Sequence, residues 1–169
     1  MTALTRTVRI ARKTVEAVDI CSFELIDPDG QPLPPFSAGA HIDVALGNGI
    51  GSSSSDSTGL VRQYSLCNDA AESHRYLIAV LRDAKSRGGS VAMHALEVGQ
   101  SLHISDPKNH FALASEAPHS VLLAGGIGIT PLLCMAERLS NTGASFALHY
   151  CTRSPERTAF ADRIRSAGF

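Results

Sequence analysis

Over its N-terminal part the chain alternates apolar with polar side chains in short runs closed by turn residues. Thr5 to Val15 sets β-branched residues against polar or basic ones, and Ile20 to Ile26 repeats the pattern before Asp27-Pro28-Asp29-Gly30. A period of two that stops at Pro and Gly marks neighbouring antiparallel strands. Pro32 to Pro35 is a stiff connection, after which Ala40 to Leu46 alternates cleanly as a third strand with His41 and Asp43 on one face. Leu60 to Leu66 and Tyr76 to Leu81 follow, parted by the polar turn Asn68 to Ser73, and Ser101 to Ser105 adds a sixth strand. Ser90 to Leu96 reads as a short helix with Ser90 at its N-cap. Gly47 to Gly59, which includes Ser52 to Ser55, reads as a mobile hairpin tip without chemistry. Strands this short and closely spaced predict a small antiparallel barrel or sandwich.

From Pro118 the period changes. A nearly continuous apolar strand breaks at Gly125, Gly126 and Gly128, a helix runs from about Thr130 to Leu139, and Asn141-Thr142-Gly143 stops it. A second strand from Ser145 to Tyr150 and a further helix from about Glu156 complete the chain. This β-α-β order implies parallel strands and a right-handed crossover. The boundary falls between Pro107 and Pro118, dividing the chain into residues 1–110 and 111–169. A doubly wound domain has about five or six strands, so the second part is expected to be a truncated α/β nucleotide-binding domain. The chain is then expected to be a fragment, a split gene product or a subunit completed by a partner. Gly126 and Gly128 have G-x-G spacing, with Pro131 where a dinucleotide fingerprint carries its third glycine. Bare backbone there can approach a pyrophosphate at a helix start, although a plain strand-to-helix turn needs the same glycines.

Composition removes several alternatives. With net charge −1 over 169 residues, there is no broad basic surface for nucleic acid or anionic lipid, so any anion site is local. No apolar run approaches the roughly 20 residues of a membrane span, and the expected location is cytoplasmic. Cys21, Cys67, Cys134 and Cys151 form no CxxC pair, which argues for reduced, mostly buried thiols and against a metal site. Without a C-x4-C-x2-C cluster, this chain holds no plant-type [2Fe-2S] centre.

Two further stretches suit anions. In Arg62-Gln63-Tyr64-Ser65-Leu66, strand alternation separates Arg62, Tyr64 and Leu66 from Gln63 and Ser65. A guanidinium can grip a phosphate bidentately while the ring two residues on lies against a flat heterocycle. An edge strand with a solvated arginine accounts for the same residues. Lys85-Ser86-Arg87-Gly88-Gly89-Ser90 combines two cations, two glycines and a serine before a helix, which is either an anion cradle or a plain helix entry.

The order of Arg62-Gln63-Tyr64-Ser65-Leu66, Gly88-Gly89-Ser90 with His94, Gly125 to Pro131 and His149-Tyr150-Cys151-Thr152-Arg153-Ser154 resembles the ferredoxin reductase superfamily. The likeness is greatest to its phthalate dioxygenase reductase and vanillate demethylase reductase branch. The resemblance implies an all-β six-stranded antiparallel Greek-key barrel that binds flavin, then an α/β domain that binds the nicotinamide cofactor. A C-terminal [2Fe-2S] domain belongs to the family but not to this chain. Carried over by residue, Arg62 contacts the flavin phosphate, Tyr64 packs on the flavin, and Ser65, beside Gln63, hydrogen-bonds near its reactive edge. Gly88, Gly89 and Ser90 bind the phosphate. Gly125, Gly126 and Gly128 underlie the nucleotide pyrophosphate, Thr130 lies where nicotinamide meets flavin, and Thr152, Arg153 and Ser154 face the adenosine ribose. Ser65 and Thr130 are thus the catalytic candidates.

The turn resembles an FMN site more than an FAD site. His94 fits the family pattern, with helix packing as its physical role. The implied activity takes electrons from NADH or NADPH through FMN to an iron-sulfur protein or terminal oxygenase component. The resemblance leans to NADH, whereas no acid ends the second strand and Arg153 tolerates a 2′-phosphate. Two rival readings remain. One is a non-catalytic flavin-binding or structural barrel. The other is a hydrolase using Ser65 or Ser90, which lacks a G-x-S-x-G elbow.

Overall fold

A computed structural model describes residues 4–47, 60–114 and 116–167. The serine-rich tip expected within 47–59 lies, from residue 48 on, outside the described residues. The elements are β1 (Arg6–Ala17), β2 (Ile20–Ile26), β3 (His41–Leu46), β4 (Leu60–Ser65), β5 (Tyr76–Leu81), α1 (Gly89–Ala95) and β6 (Ser101–Ile104). They are followed by β7 (Ser120–Gly125), α2 (Ile129–Asn141), β8 (Phe146–Cys151) and α3 (Ala161–Ser166).

The first six strands form one sheet in the order β4-β3-β6-β1-β2-β5, and every pairing is antiparallel. Because β6 returns to lie between β3 and β1, the connection is a Greek key rather than a meander. The ends of the sheet meet where the Cys67 N–H donates to Leu77 O at 2.9 Å and the Leu77 N–H donates to Asn68 Oδ1 at 2.9 Å. Inside, Val8, Ile10, Phe23, Leu25, Ile42, Val44, Leu66 and Ile78 are fully buried, and Met93 of α1 joins them. Each such side chain contributes about 1.5–3 kcal/mol. Tyr76 is also buried, and its hydroxyl donates to Pro34 O at 2.6 Å, so the phenol brings no unpaired polar atom into the core.

Asp43 is buried on the outer side of β3, which its charge alone would forbid. The Lys108 Nζ lies 2.7 Å from its carboxylate, and the Asp43 N–H donates to Ser105 Oγ at 3.0 Å. Lys108 also exchanges backbone hydrogen bonds with His41 at 2.8 and 2.9 Å, which fastens the segment after β6 to β3.

In the second part, β7 and β8 are parallel, with Leu122 opposite Leu148. The helix α2 covers one face through Leu132, Leu133, Met135, Ala136 and Leu139. That core is shared with the barrel, because Ile20, Ala38, Cys67 and Ala79 belong to the same cluster. On the other face Val121 and Leu123 are 64% and 71% exposed. The continuous helix expected from about Glu156 is not formed. Pro155–Arg157 is a 3-10 turn, and α3 begins only at Ala161 after Phe160 at φ 59°. A left-handed residue costs about 1–2 kcal/mol, which burial of the Phe160 ring in the shared core offsets. The two parts are also tied by the Val18 N–H to Glu156 O at 2.9 Å and by Arg163 Nη2 to Cys67 O at 2.7 Å.

Candidate functional site

At the mouth of the barrel, β4 and the entry to α1 come together. Arg62 stands opposite Val44 and Tyr64 opposite Ile42, so both leave the inward side of β4, while Gln63 and Ser65 oppose Asp43 and His41 on the outer side. The Arg62 side chain lies directly over Gly89: a Cβ there would sit 2.8 Å from Arg62 Nε and 2.9 Å from Cγ. Gly88, at φ 96°, turns the chain into α1 in a left-handed conformation that suits glycine. The guanidinium donates to the neighbouring Val61 O at 2.9 Å and pairs with no acid among the described residues. An arginine held against Gly89 at a two-glycine helix entry is an arrangement that can hold a phosphate group.

Ser90 is not the N-cap. The cap is Gly88, with no side-chain hydrogen bond, and Ser90 lies inside the first turn. Its Oγ instead accepts the Asp83 N–H at 3.1 Å, while Asp83 Oδ1 accepts the Lys85 N–H at 2.8 Å, so the loop before α1 is self-braced. The sequence missed the other end of α1, where Lys13 Nζ of β1 donates to His94 O at 2.8 Å and Leu96 O at 2.9 Å. Only the fold brings a residue 81 positions away to those helix-terminal carbonyls. His94 Nε2 lies 2.8 Å from Val80 O, the packing role expected of it. Tyr64 is half-buried, and desolvation pushes its phenol up to about 12 despite the opposing pull of Arg62. It is a neutral aromatic surface at neutral pH.

Beside this cradle, a cleft of about 820 Å³ opens between barrel and α/β unit. One wall is the β1–β2 turn, Val18 to Ile20, with Leu81 to Ala84; the other is Gly125 to Ile127 with Cys151, Thr152, Arg153 and Arg157. Asp83 therefore belongs to the cleft and, through Ser90, to the turn into α1. Gly126 has φ 50° and open space where a Cβ would stand, so it is required by backbone conformation rather than by crowding.

The chain has the lengthwise pattern and fold of known reductases. It is 55% identical over 161 residues to vanillate O-demethylase oxidoreductase of Pseudomonas putida, covering 95% of this chain and 47% of that protein. It is 49% identical to phthalate dioxygenase reductase of Burkholderia cepacia, covering 94% and 47%. A solved structure of phthalate dioxygenase reductase, described as modular for electron transfer from pyridine nucleotides to [2Fe-2S], superposes with a TM-score of 0.86 at 48% identity. That match covers 95% of this chain and 47% of the solved one. The chain corresponds to the N-terminal part of this ferredoxin reductase branch. It spans about half the length of these relatives. No protein-family model matches it.

Measured against this reductase pattern, the expected site residues divide into groups. Arg62, Gly88 and Gly89 meet at the cradle, and Gly125, Gly126, Thr152 and Arg153 meet at the cleft. Gly128, Thr130 and Ser154 do not line the cleft. Thr130 is 5% exposed and its hydroxyl donates to Ile127 O at 3.1 Å, which braces the glycine turn. The Thr152 hydroxyl is likewise engaged, 2.7 Å from Thr158 Oγ1. Sequence reasoning missed Asp19, a left-handed turn residue at φ 62° whose carboxylate meets Arg157 at 3.2 Å. An Asp between two strands was the available signal, since Asp tolerates that conformation.

Among the described residues there is no metal-suited cluster of His, Cys, Asp or Glu and no helix long and apolar enough to cross a membrane. Burial pushes the Cys67 and Cys134 thiols up to about 12 and raises that of Cys21. Cys151 is exposed on the cleft wall. Iodoacetamide at pH 8 is expected to label Cys151 at least tenfold faster than the other thiols, read by peptide mass spectrometry. Equal labelling of all four native thiols would contradict the packing described here.

Proposed function

We propose that this chain is the flavin- and nicotinamide-binding half of an NAD(P)H-dependent reductase serving an aromatic-ring oxygenase or demethylase. The observation that carries the reading is the Arg62 guanidinium held over Gly89 beside a cleft walled by Gly125, Gly126 and Arg153. Residues 1–110 form the flavin domain and residues 111–169 the beginning of the nucleotide domain. FMN is the preferred flavin, because the site on this chain is a compact phosphate cradle. When bound, the flavin supplies the exchange between two-electron nicotinamide and one-electron iron-sulfur chemistry.

The chain's own residues bind and orient. Arg62 grips the phosphate dianion together with the backbone N–H of Gly89, whereas the Gly88 N–H donates to Ser86 Oγ at 3.2 Å. Ser90 Oγ already accepts the Asp83 N–H, so its own proton remains for donation to phosphate. Tyr64 offers an uncharged ring, Gln63 and Ser65 supply polar contacts, and Ser65 serves the reactive edge. Gly125 and Gly126 let the nucleotide backbone approach, and Gly128 carries the turn into α2. Thr130 fixes that turn from beneath, and Thr152 and Ser154 shape the ribose end. The electron acceptor is an iron-sulfur protein or terminal oxygenase component. Three buried thiols suit a reducing compartment such as the cytoplasm.

The purified chain should be yellow or take up FMN, heat should release a compound of FMN mass, and anaerobic NADH or NADPH should bleach it. A folded preparation that stays colourless with both FMN and FAD overturns the flavin site. Bound flavin that no pyridine nucleotide reduces returns the chain to a non-catalytic flavin module.

A further inference from the structure

The two parts of the chain meet at more than an apolar seam. Cys67 directly follows the Arg62–Leu66 stretch, and its carbonyl accepts a hydrogen bond from Arg163 Nη2 of α3 at 2.7 Å. The same Nη2 and the Nε of that guanidinium reach Glu137 Oε1 of α2 at 2.7 and 3.1 Å. Arg163 Nη1 and Glu137 Oε2 are buried with no hydrogen-bond partner among the described residues. A part-buried ion pair with unsatisfied atoms gains little net stability, because desolvation offsets the attraction. What it fixes is geometry. One planar fork joins the segment leaving the strand of Arg62, Tyr64 and Ser65 to the helix that follows the Gly126–Gly128 turn. Asn141, one turn further along α2, donates to Asp69 Oδ2 at 2.8 Å and holds the same helix to the same barrel loop. The ties of Val18 to Glu156 and of Asp19 to Arg157 involve neither β4 nor α2.

We propose that Arg163 and Glu137 are positioning residues: they set α2, and with it the glycine turn at its start, against the end of β4, and so fix the approach of nucleotide to flavin. The inference rests on the reductase reading above and adds two residues to it. At the usual helical rise, Glu137 stands roughly 12 Å along α2 from Ile129. A tilt of about 5° at the clamp therefore moves the glycine turn by about 1 Å, a displacement that can slow a transfer between two bound groups by about 100-fold.

Anaerobic reduction of the FMN-loaded chain by NADH or NADPH, FMN titration of the apoprotein and amide hydrogen exchange test it together. Arg163→Gln should slow reduction about tenfold or more at saturating nucleotide, with the half-saturating concentration and the FMN Kd within about threefold of the parent. Without any turnover, exchange at the amides of Cys67 and of Ile129 to Leu133 should rise about tenfold or more while the β1 amides keep the parent rates. Arg163→Lys should restore part of both, because an ammonium keeps a donor for Cys67 O and loses the fork, and it carries the comparison if Arg163→Gln does not fold. Asp162→Asn, exposed on the same helix, should change neither. An unchanged reduction rate, parent exchange rates at both segments, or a loss of FMN affinity as large as the loss of rate overturns the positioning role. If no pyridine nucleotide reduces the parent, the nucleotide reading falls and the exchange rates alone decide whether the clamp sets α2.

Discussion

Gly39→Ala is expected to lower stability by about 2–5 kcal/mol, read as a fall in the urea midpoint at constant slope. Gly39 occupies the turn before β3 at φ 94°, where any L side chain is strained by about 1–2 kcal/mol. Its missing side chain is also filled space. A Cβ would overlap the carbonyl oxygen of Phe111 and come 2.8 Å from Met135 Cε. The methionine tip can move, but the Phe111 carbonyl is backbone, fastened nearby by Asn109, whose Oδ1 accepts the Phe111 N–H at 3.0 Å. Overpacking of this kind costs about 1–3 kcal/mol more. Since a domain has about 5–15 kcal/mol in all, the variant should be largely unfolded at modest denaturant. A midpoint within error of the parent would mean that the crossing segment does not rest on Gly39.

Arg62→Ala should weaken FMN binding about 100-fold while leaving the thermal midpoint nearly unchanged. A bidentate charge-assisted contact with a phosphate is worth about 3 kcal/mol, which is that factor. Within the protein the guanidinium makes one hydrogen bond, to the adjacent Val61 carbonyl, and no ion pair among the described residues, so the fold does not depend on its charge. Fluorescence titration of the apoprotein with FMN, beside thermal unfolding, separates the two effects. Arg62→Lys should recover only part of the affinity, because an ammonium keeps the charge and loses the fork. Unchanged flavin affinity in Arg62→Ala would remove Arg62 from the phosphate site. Loss of the fold instead would assign it to packing against Gly89.

Much of this molecule was legible in one dimension. The alternation in Ile20–Ile26 and the β-branched and aromatic content of Tyr76–Leu81 mark strands with the observed bounds, because both signals reside in the residues themselves. The Gly125-Gly126-Ile127-Gly128 break marked the β7-to-α2 turn for an equally local reason. The errors arose where partners were distant. Serine's capping preference points to Ser90, yet left-handed Gly88 takes that position and the Asp83 N–H claims the hydroxyl. The helix expected from Glu156 is broken because the shared core draws in Phe160, and nothing near residue 160 announces that core.

The amino-acid order by itself determined the strands, the glycine turn and the candidate phosphate residues, since each depends on the conformational range of a residue and its immediate neighbours. Tertiary structure alone decided that Arg62 lies over Gly89, that Lys13 closes α1, and that Asp19 neutralises Arg157 while Arg153 stays open to the cleft. Those relations join positions tens of residues apart, and only the closed barrel packed against the β-α-β unit gives them a distance.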